Sequence, residues 1–132
     1  MDLSESGIIE FFDGTHIDLS RILEVSPVRS PSEGLGSFVY ASFEILYMFQ
    51  EKARTFGYQD TDFLCQDERQ AIFKKHYDAA QAYGGKNDYQ MARGEMREKT
   101  IEALETHRTA LVEAWEAFKL RHPPASIPKV SA

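Results

Sequence analysis

Hydrophobic and polar positions alternate with a period of two through the first half of the chain, and then the period changes. Ile8, Ile9, Phe11 and Phe12 lead into Asp13-Gly14, a dipeptide that tolerates the positive φ angles of a tight hairpin turn. The return runs over Thr15 to Val25, where Ile17 and Leu19 alternate with His16 and Asp18, although Ser20 to Glu24 fits one helical turn equally well. Prolines, glycines and serines between Ser26 and Gly36 mark a surface loop over residues 26–37. Ser37 to Gln50 then reads as one long strand. Its odd positions, Val39, Ala41, Phe43, Ile45, Tyr47 and Phe49, form a wholly apolar core face. Its even positions, Phe38, Tyr40, Ser42, Glu44, Leu46 and Met48, are mixed, which predicts partial cover by a helix or another chain. Ala53 to Tyr58 adds a further strand, with Arg54, Phe56 and Tyr58 on one side.

From Asp62 or Asp67 to Tyr83 the spacing turns helical, with Ile72, His76, Ala79 and Tyr83 recurring at intervals of four, three and four. Gly84-Gly85 provides the stop, since glycine takes the left-handed cap conformation without steric cost. Asn87 or Asp88 supplies a capping oxygen for a second helix, which runs until Pro123-Pro124 forbid continuation. That helix is about 50 Å long at 1.5 Å per residue. A rod of this length outreaches a small domain, so a homodimer is expected to cover its free end. The predicted fold is α+β: an N-terminal antiparallel β-meander followed by two helices, the second long.

Composition supports one domain over residues 1–132, with strands in 7–58, helices in 62–122 and a flexible tail at 123–132. The 132 residues are 42% hydrophobic and 12% aromatic, enough for one core and too few for two. The net charge of −6 has the wrong sign for generic DNA or RNA binding. Residues 1–60 hold 10 acidic and 4 basic side chains, and residues 61–132 hold 11 of each, so the cations concentrate in the helical half. One cysteine, Cys65, excludes an internal disulfide and suits a reducing compartment. With no signal-peptide pattern and no apolar run of spanning length, a cytoplasmic protein without membrane association is expected. No cofactor or metal motif stands out.

The second helix carries the most informative chemistry. On a wheel of about 100° per residue with Arg93 at zero, Leu104, Leu111, Trp115 and Phe118 fall within about 40°, Arg97 at about 40° and Arg108 at about 60°. Three guanidinium groups therefore project from an apolar seam. A guanidinium on apolar surface needs acceptors, and the like charges of Arg93 and Arg97, one turn apart, would be relieved by a bound phosphate or carboxylate. The structural alternative lays the arginine stems over apolar surface and pairs their heads with Glu98, Glu102, Glu105 or Glu113 across a dimer. Tyr77, Tyr83 and Tyr89 offer flat partners for a nucleobase, or simply edge the core. Arg54 reaches the same cleft or pairs with Glu51 or Asp60. Cys65 with His76, His16 with Asp18, and the ridge of Glu98, Glu102 and Glu105 are weaker constellations, with inert-thiol and solvated-surface explanations.

A glycine-bounded helix pair behind a short sheet, Arg54 after the long strand, Tyr77 and Asn87 ten apart, and the Arg93-Arg97 pair together resemble the phage anti-Thoeris sponge proteins. The resemblance covers about residues 38–118 and lies in layout rather than in a diagnostic motif. It implies a dimeric or larger, non-enzymatic binder that sequesters cyclic ADP-ribose signals without cleaving them, in the host cytoplasm if the protein is phage-encoded. Arg54, Arg93 and Arg97 would neutralise phosphate charge, with Arg108 as an alternative member of the set, Tyr77 would stack, and Asn87 would donate hydrogen bonds. An acidic protein-interaction or inhibitor module, masking a basic partner, is the competing expectation.

Overall fold

A computed structural model describes residues 7–30, 39–83 and 87–122 of the chain. The elements are β1 (Ile8–Glu10), β2 (His16–Asp18), β3 (Ile22–Val25), β4 (Ala41–Tyr47), β5 (Arg54–Tyr58), α1 (Gln66–Tyr83) and α2 (Asp88–Arg121). The order is that of the predicted α+β fold, antiparallel strands followed by two helices. The strands form two sheets rather than one continuous meander: β1 pairs with β2, and β3, β4 and β5 lie in that order.

Asp18 explains the division. Its Oδ1 accepts from the Ser20 N–H at 3.0 Å and from the Ser20 hydroxyl at 2.6 Å, capping a single 3₁₀ turn over Leu19–Arg21. A short acidic side chain that satisfies the backbone locally competes with the sheet ladder, so the return strand breaks in two. At the first hairpin, Gly14 N–H donates to the Phe11 carbonyl at 2.9 Å and Phe11 N–H to the Thr15 carbonyl at 2.7 Å. Only Gly14 of the Asp13-Gly14 pair has a positive φ, +88°. The connection is a three-residue loop closed by a left-handed glycine, one residue longer than the tightest turn.

β4 alternates as its sequence predicts, with Ala41, Phe43, Ile45 and Tyr47 buried. The apolar face stops there. Phe49 is 95% exposed at a φ of +66°, because Met48 to Gln50 turn the chain back toward β5, with Gln50 N–H donating to the Tyr47 carbonyl at 3.3 Å. Arg29 and Ser42 exchange backbone hydrogen bonds of 2.7 and 2.8 Å beyond the end of β3, so the loop begins alongside β4. The outer face of the three-stranded sheet carries a groove of about 160 Å³ lined by Glu24, Ser26, Arg29, Glu44, Leu46 and Ala53.

α2 covers the inner faces of both sheets. Leu104 and Leu111 are buried in one cluster with Phe11, Ile17, Leu19, Phe43, Ile45 and Phe56. Higher on the helix, Ala92 and Met96 join Leu64 and Ile72 in a second cluster, where α1 packs alongside. At the lower end a Cβ on Gly7, whose φ is +84°, would come within 3.1 Å of the Phe118 ring. The 34 residues of α2 run unbroken through Gly94 and are flanked by elements of the same chain in both halves, so helix length alone gives no argument for a second subunit. The Gly84-Gly85 stop, residues 31–37 of the predicted loop, Phe38 of the predicted long strand and the tail from Pro123 lie outside the described residues.

Two features carry measurable consequences. Phe49 pays the steric cost of left-handed backbone, about 1–2 kcal/mol for an L-residue, and its exposed ring recovers nothing by burial. Phe49→Gly is expected to raise stability by about 1 kcal/mol and the melting temperature by several degrees, read by thermal unfolding. Between β5 and the first hairpin, Tyr58 donates its hydroxyl to Asp13 Oδ2 at 2.6 Å. Partial burial pushes the Asp13 carboxyl up, but the bonds from Tyr58 and from the Thr15 backbone outweigh it and hold the group below its ordinary value of 3.8. Burial, then the Asp13 hydrogen bond and charge, push the Tyr58 phenol above its ordinary value of 10.0. The Asp13 contribution is therefore present above pH 4 and is lost as pH falls through its lowered folded value. The Tyr58 contribution is complete below pH 10 and is lost as pH rises toward its raised folded value. Tyr58→Phe should cost about 1 kcal/mol at neutral pH, at the low end for a charged acceptor because Asp13 is solvent-screened, and should flatten both limbs of the stability-pH curve.

Candidate functional site

The upper half of α2 divides into two flanks around the stripe that meets α1. Ala92, Met96 and Thr100 are the buried positions, and Thr100 returns its hydroxyl to the Met96 carbonyl at 2.7 Å, so burial leaves that group satisfied. Arg93 and Arg97 lie on one flank. At about 100° per residue, Glu95 and Lys99 lie about 200° from them on the other.

On the arginine flank two guanidinium groups converge on one ring. Tyr40, 6% exposed, sits just before β4 and is tied to β5 by its N–H, which donates to the Tyr58 carbonyl at 2.9 Å. Arg93 lies 5.7 Å and Arg97 5.2 Å from the centroid of the Tyr40 ring. Arg93 Nε also donates to the Tyr40 hydroxyl at 3.0 Å, which fixes the plane of the fork as well as its position. One turn earlier Tyr89 lies beneath the same arginine, 5.7 Å from its guanidinium carbon, and Tyr89 stacks on Phe73 of α1 at 5.8 Å and 21°. The result is a ladder of Phe73, Tyr89, Arg93, Tyr40 and Arg97. Guanidinium groups stacked on aromatic faces keep planar N–H forks suited to oxyanions.

The remaining residues singled out from sequence are placed differently. Tyr77 is half exposed on α1, four residues from Phe73 and so on the same helix face. Asn87 occupies the N-cap of α2 without a side-chain capping bond. Arg54 stacks on Phe56 at 5.0 Å, at the end of β5 away from Tyr58, about 13 Å along the strand at 3.3 Å per residue. Arg108 is about 16 Å down α2 from Arg97 at 1.5 Å per residue. Its Nε donates to the Ser26 carbonyl at 2.6 Å and its Nη2 to the Val25 carbonyl at 3.2 Å. Arg108 clamps the backbone leaving β3, whereas Arg93 and Arg97 share Tyr40.

Tyr40 and Phe73 were not singled out from the sequence. Tyr40 reads there as one of the mixed even positions, and only the packing of α2 against the start of β4 reveals its role. Phe73 lies outside the recurring positions by which the helix was read.

The opposite flank holds a cleft of about 290 Å³ lined by Glu68, Ala71, Ile72, Lys75, Glu95 and Lys99. Its charges are matched internally. Glu95 accepts from Lys75 and lies 2.9 Å from His76 Nε2, and the Lys75 bond leads in holding its carboxyl below the ordinary range. Glu68 accepts from the Cys65 N–H at 3.2 Å, and that backbone bond lowers its pKa in turn. Cys65 and His76 are separated by about 16 Å of helix at 1.5 Å per residue, so they form no thiol-imidazole pair. Elsewhere His107 stacks on Phe12 at 4.1 Å and His122 packs on Phe118 at 4.6 Å. Among the described residues no group of three or more His, Cys, Asp or Glu side chains could hold a metal ion, and no helix is long and apolar enough to cross a membrane.

No protein family, curated protein or solved structure matches the chain. The arrangement of rings and guanidinium groups therefore carries the functional argument. The two arginine locations separate experimentally: Arg108→Ala leaves two strand-end carbonyls without their charged donor and should cost about 2 kcal/mol in denaturant unfolding.

Proposed function

We propose that the corner formed by Tyr40, Arg93 and Arg97 binds a small phosphate-bearing nucleotide and holds it unchanged, removing it from solution. The observation that carries this reading is the pair of guanidinium groups, one helical turn apart, held over a single buried tyrosine ring. Two guanidinium forks one helical turn apart can donate to one oxyanion together, with the bidentate geometry that planar guanidinium groups favour. Neighbouring rings add stacking surface. The groups of the corner are cations, rings and a phenol, a set suited to recognition rather than turnover. All belong to one chain, so the reading requires no second subunit.

Cyclic ADP-ribose isomers are the first ligands to test, because the layout of the chain resembles proteins that sequester such signals and so counter a bacterial defence pathway. The experiment is a thermal-shift panel of cyclic and linear nucleotides, followed by mass spectrometry of ligand released on heating. A ligand at 100 times its Kd stabilises the native state by about 2.7 kcal/mol, a rise of several degrees. The expected result is such a shift with ligand of unchanged mass. Arg93→Ala combined with Arg97→Ala should abolish the shift while leaving circular dichroism and the ligand-free melting temperature within a few degrees of the parent. A flat panel would overturn the reading in favour of a protein-binding role, and an altered ligand mass would overturn sequestration in favour of turnover.

A further inference from the structure

We infer that the corner divides recognition between two aromatic groups: Tyr89, backed by Phe73, is the platform for the base, and Tyr40 positions the two guanidinium forks for the phosphate. This rests on the nucleotide reading above and assigns roles within it.

The two tyrosines differ in the property that decides their roles. Tyr40 is 6% exposed and packed with Leu64, Ile72, Ala92 and Met96, so among the described residues the two arginines over its ring, rather than the ring itself, are what a ligand would meet. It is a positioning residue: the ring supports both guanidinium groups, and its hydroxyl accepts from Arg93 Nε. Tyr89 is 59% exposed and Phe73 36% exposed, although the two rings are already stacked. A stacked pair left open to solvent offers apolar area that a third flat ring can bury, and base-aromatic stacking tolerates any base. The platform also joins the helices, because Phe73 belongs to α1 and Tyr89 to α2. Arg93 connects the two functions, lying 5.7 Å from the centroid of each tyrosine ring. A ligand that uses both must carry its flat ring beside its charge, which describes a compact nucleotide and excludes an anion without a base. Tyr77, one turn from Phe73, extends the platform rather than forming its centre.

The test compares ADP with inorganic pyrophosphate by isothermal titration calorimetry on the intact protein, since the two share the charged group and differ by the nucleoside. The parent is expected to bind ADP at least about 10-fold more tightly. Tyr89→Ala should bring ADP down to the affinity of pyrophosphate and leave pyrophosphate within twofold of the parent, whereas Tyr89→Phe should retain the preference for ADP. Tyr40→Phe keeps the ring and removes the acceptor, and should weaken both ligands by the same factor of about 5. Circular dichroism verifies that each variant folds. Equal parent affinities, a Tyr89→Ala variant that weakens both ligands alike, or a Tyr40→Phe variant that changes neither would overturn the division. Failure of ADP, pyrophosphate and the cyclic ADP-ribose isomers all to bind the parent would overturn the nucleotide reading itself.

Discussion

The buried stripe of α2 is the constraint on which the other elements depend. Leu104 and Leu111 close the core beneath the sheets, and Ala92, Met96 and Thr100 form the wall against which α1 packs. Residues four apart advance by about 40° around a helix, so a stripe that follows 92, 96, 100 and 104 winds around the rod. One helix therefore presents its buried face to α1 in the upper half and to the sheets in the lower half. A buried leucine at such a junction contributes about 2–5 kcal/mol relative to alanine, and among the described elements α2 is the helix whose buried leucines pack in the sheet core.

That winding places the arginines. Arg93 and Arg97 share the direction of Leu104 and Leu111 but stand in the upper half of the helix, beside the start of β4. Opposite them stands Tyr40, whose N–H bonds the Tyr58 carbonyl of β5, and both guanidinium groups lie within 5.7 Å of its ring centroid. Arg108 shares nearly the same direction lower down, where the chain leaves β3. There it meets backbone carbonyls and becomes part of the scaffold. Three arginines on one seam thus acquire two different roles according to what stands opposite each.

The helices were legible in the sequence because their signals are local. The spacing of Ile72 and His76 places α1, and the proline pair marks where α2 must stop. The alternation of Ala41, Phe43, Ile45 and Tyr47 likewise fixed the inner face of β4. Where the reading departed from the structure, a turn had overridden periodicity. Phe49 continues the apolar pattern in sequence but belongs to the reversal after β4, and Asp18 ends a strand by bonding to its own neighbourhood. The candidate corner was legible in part. Arg93 and Arg97 stood out as charges on an apolar seam, whereas Tyr40 depends on contacts between residues 53 positions apart and has no local signature.

The same geometry ties the ligand recognition proposed above to the packing of α1. The cluster holding α1 on α2 consists of Tyr40, Leu64, Ile72, Ala92 and Met96, a small apolar contact beside the main core. The Lys75–Glu95 pair on the opposite flank adds little, because the Lys75 side chain is 60% exposed and the pair is screened by solvent and salt. Elements with few buried contacts open at lower free energy than the core, which makes α1 the more readily released of the two helices. Phe73 of α1 and Tyr89 of α2 meet only while the helices are docked, and Tyr40 occupies the contact between them and the sheet. On the nucleotide reading proposed above, a ligand spanning this corner would bind the docked state and not the opened one, so its binding energy would also be docking energy for α1.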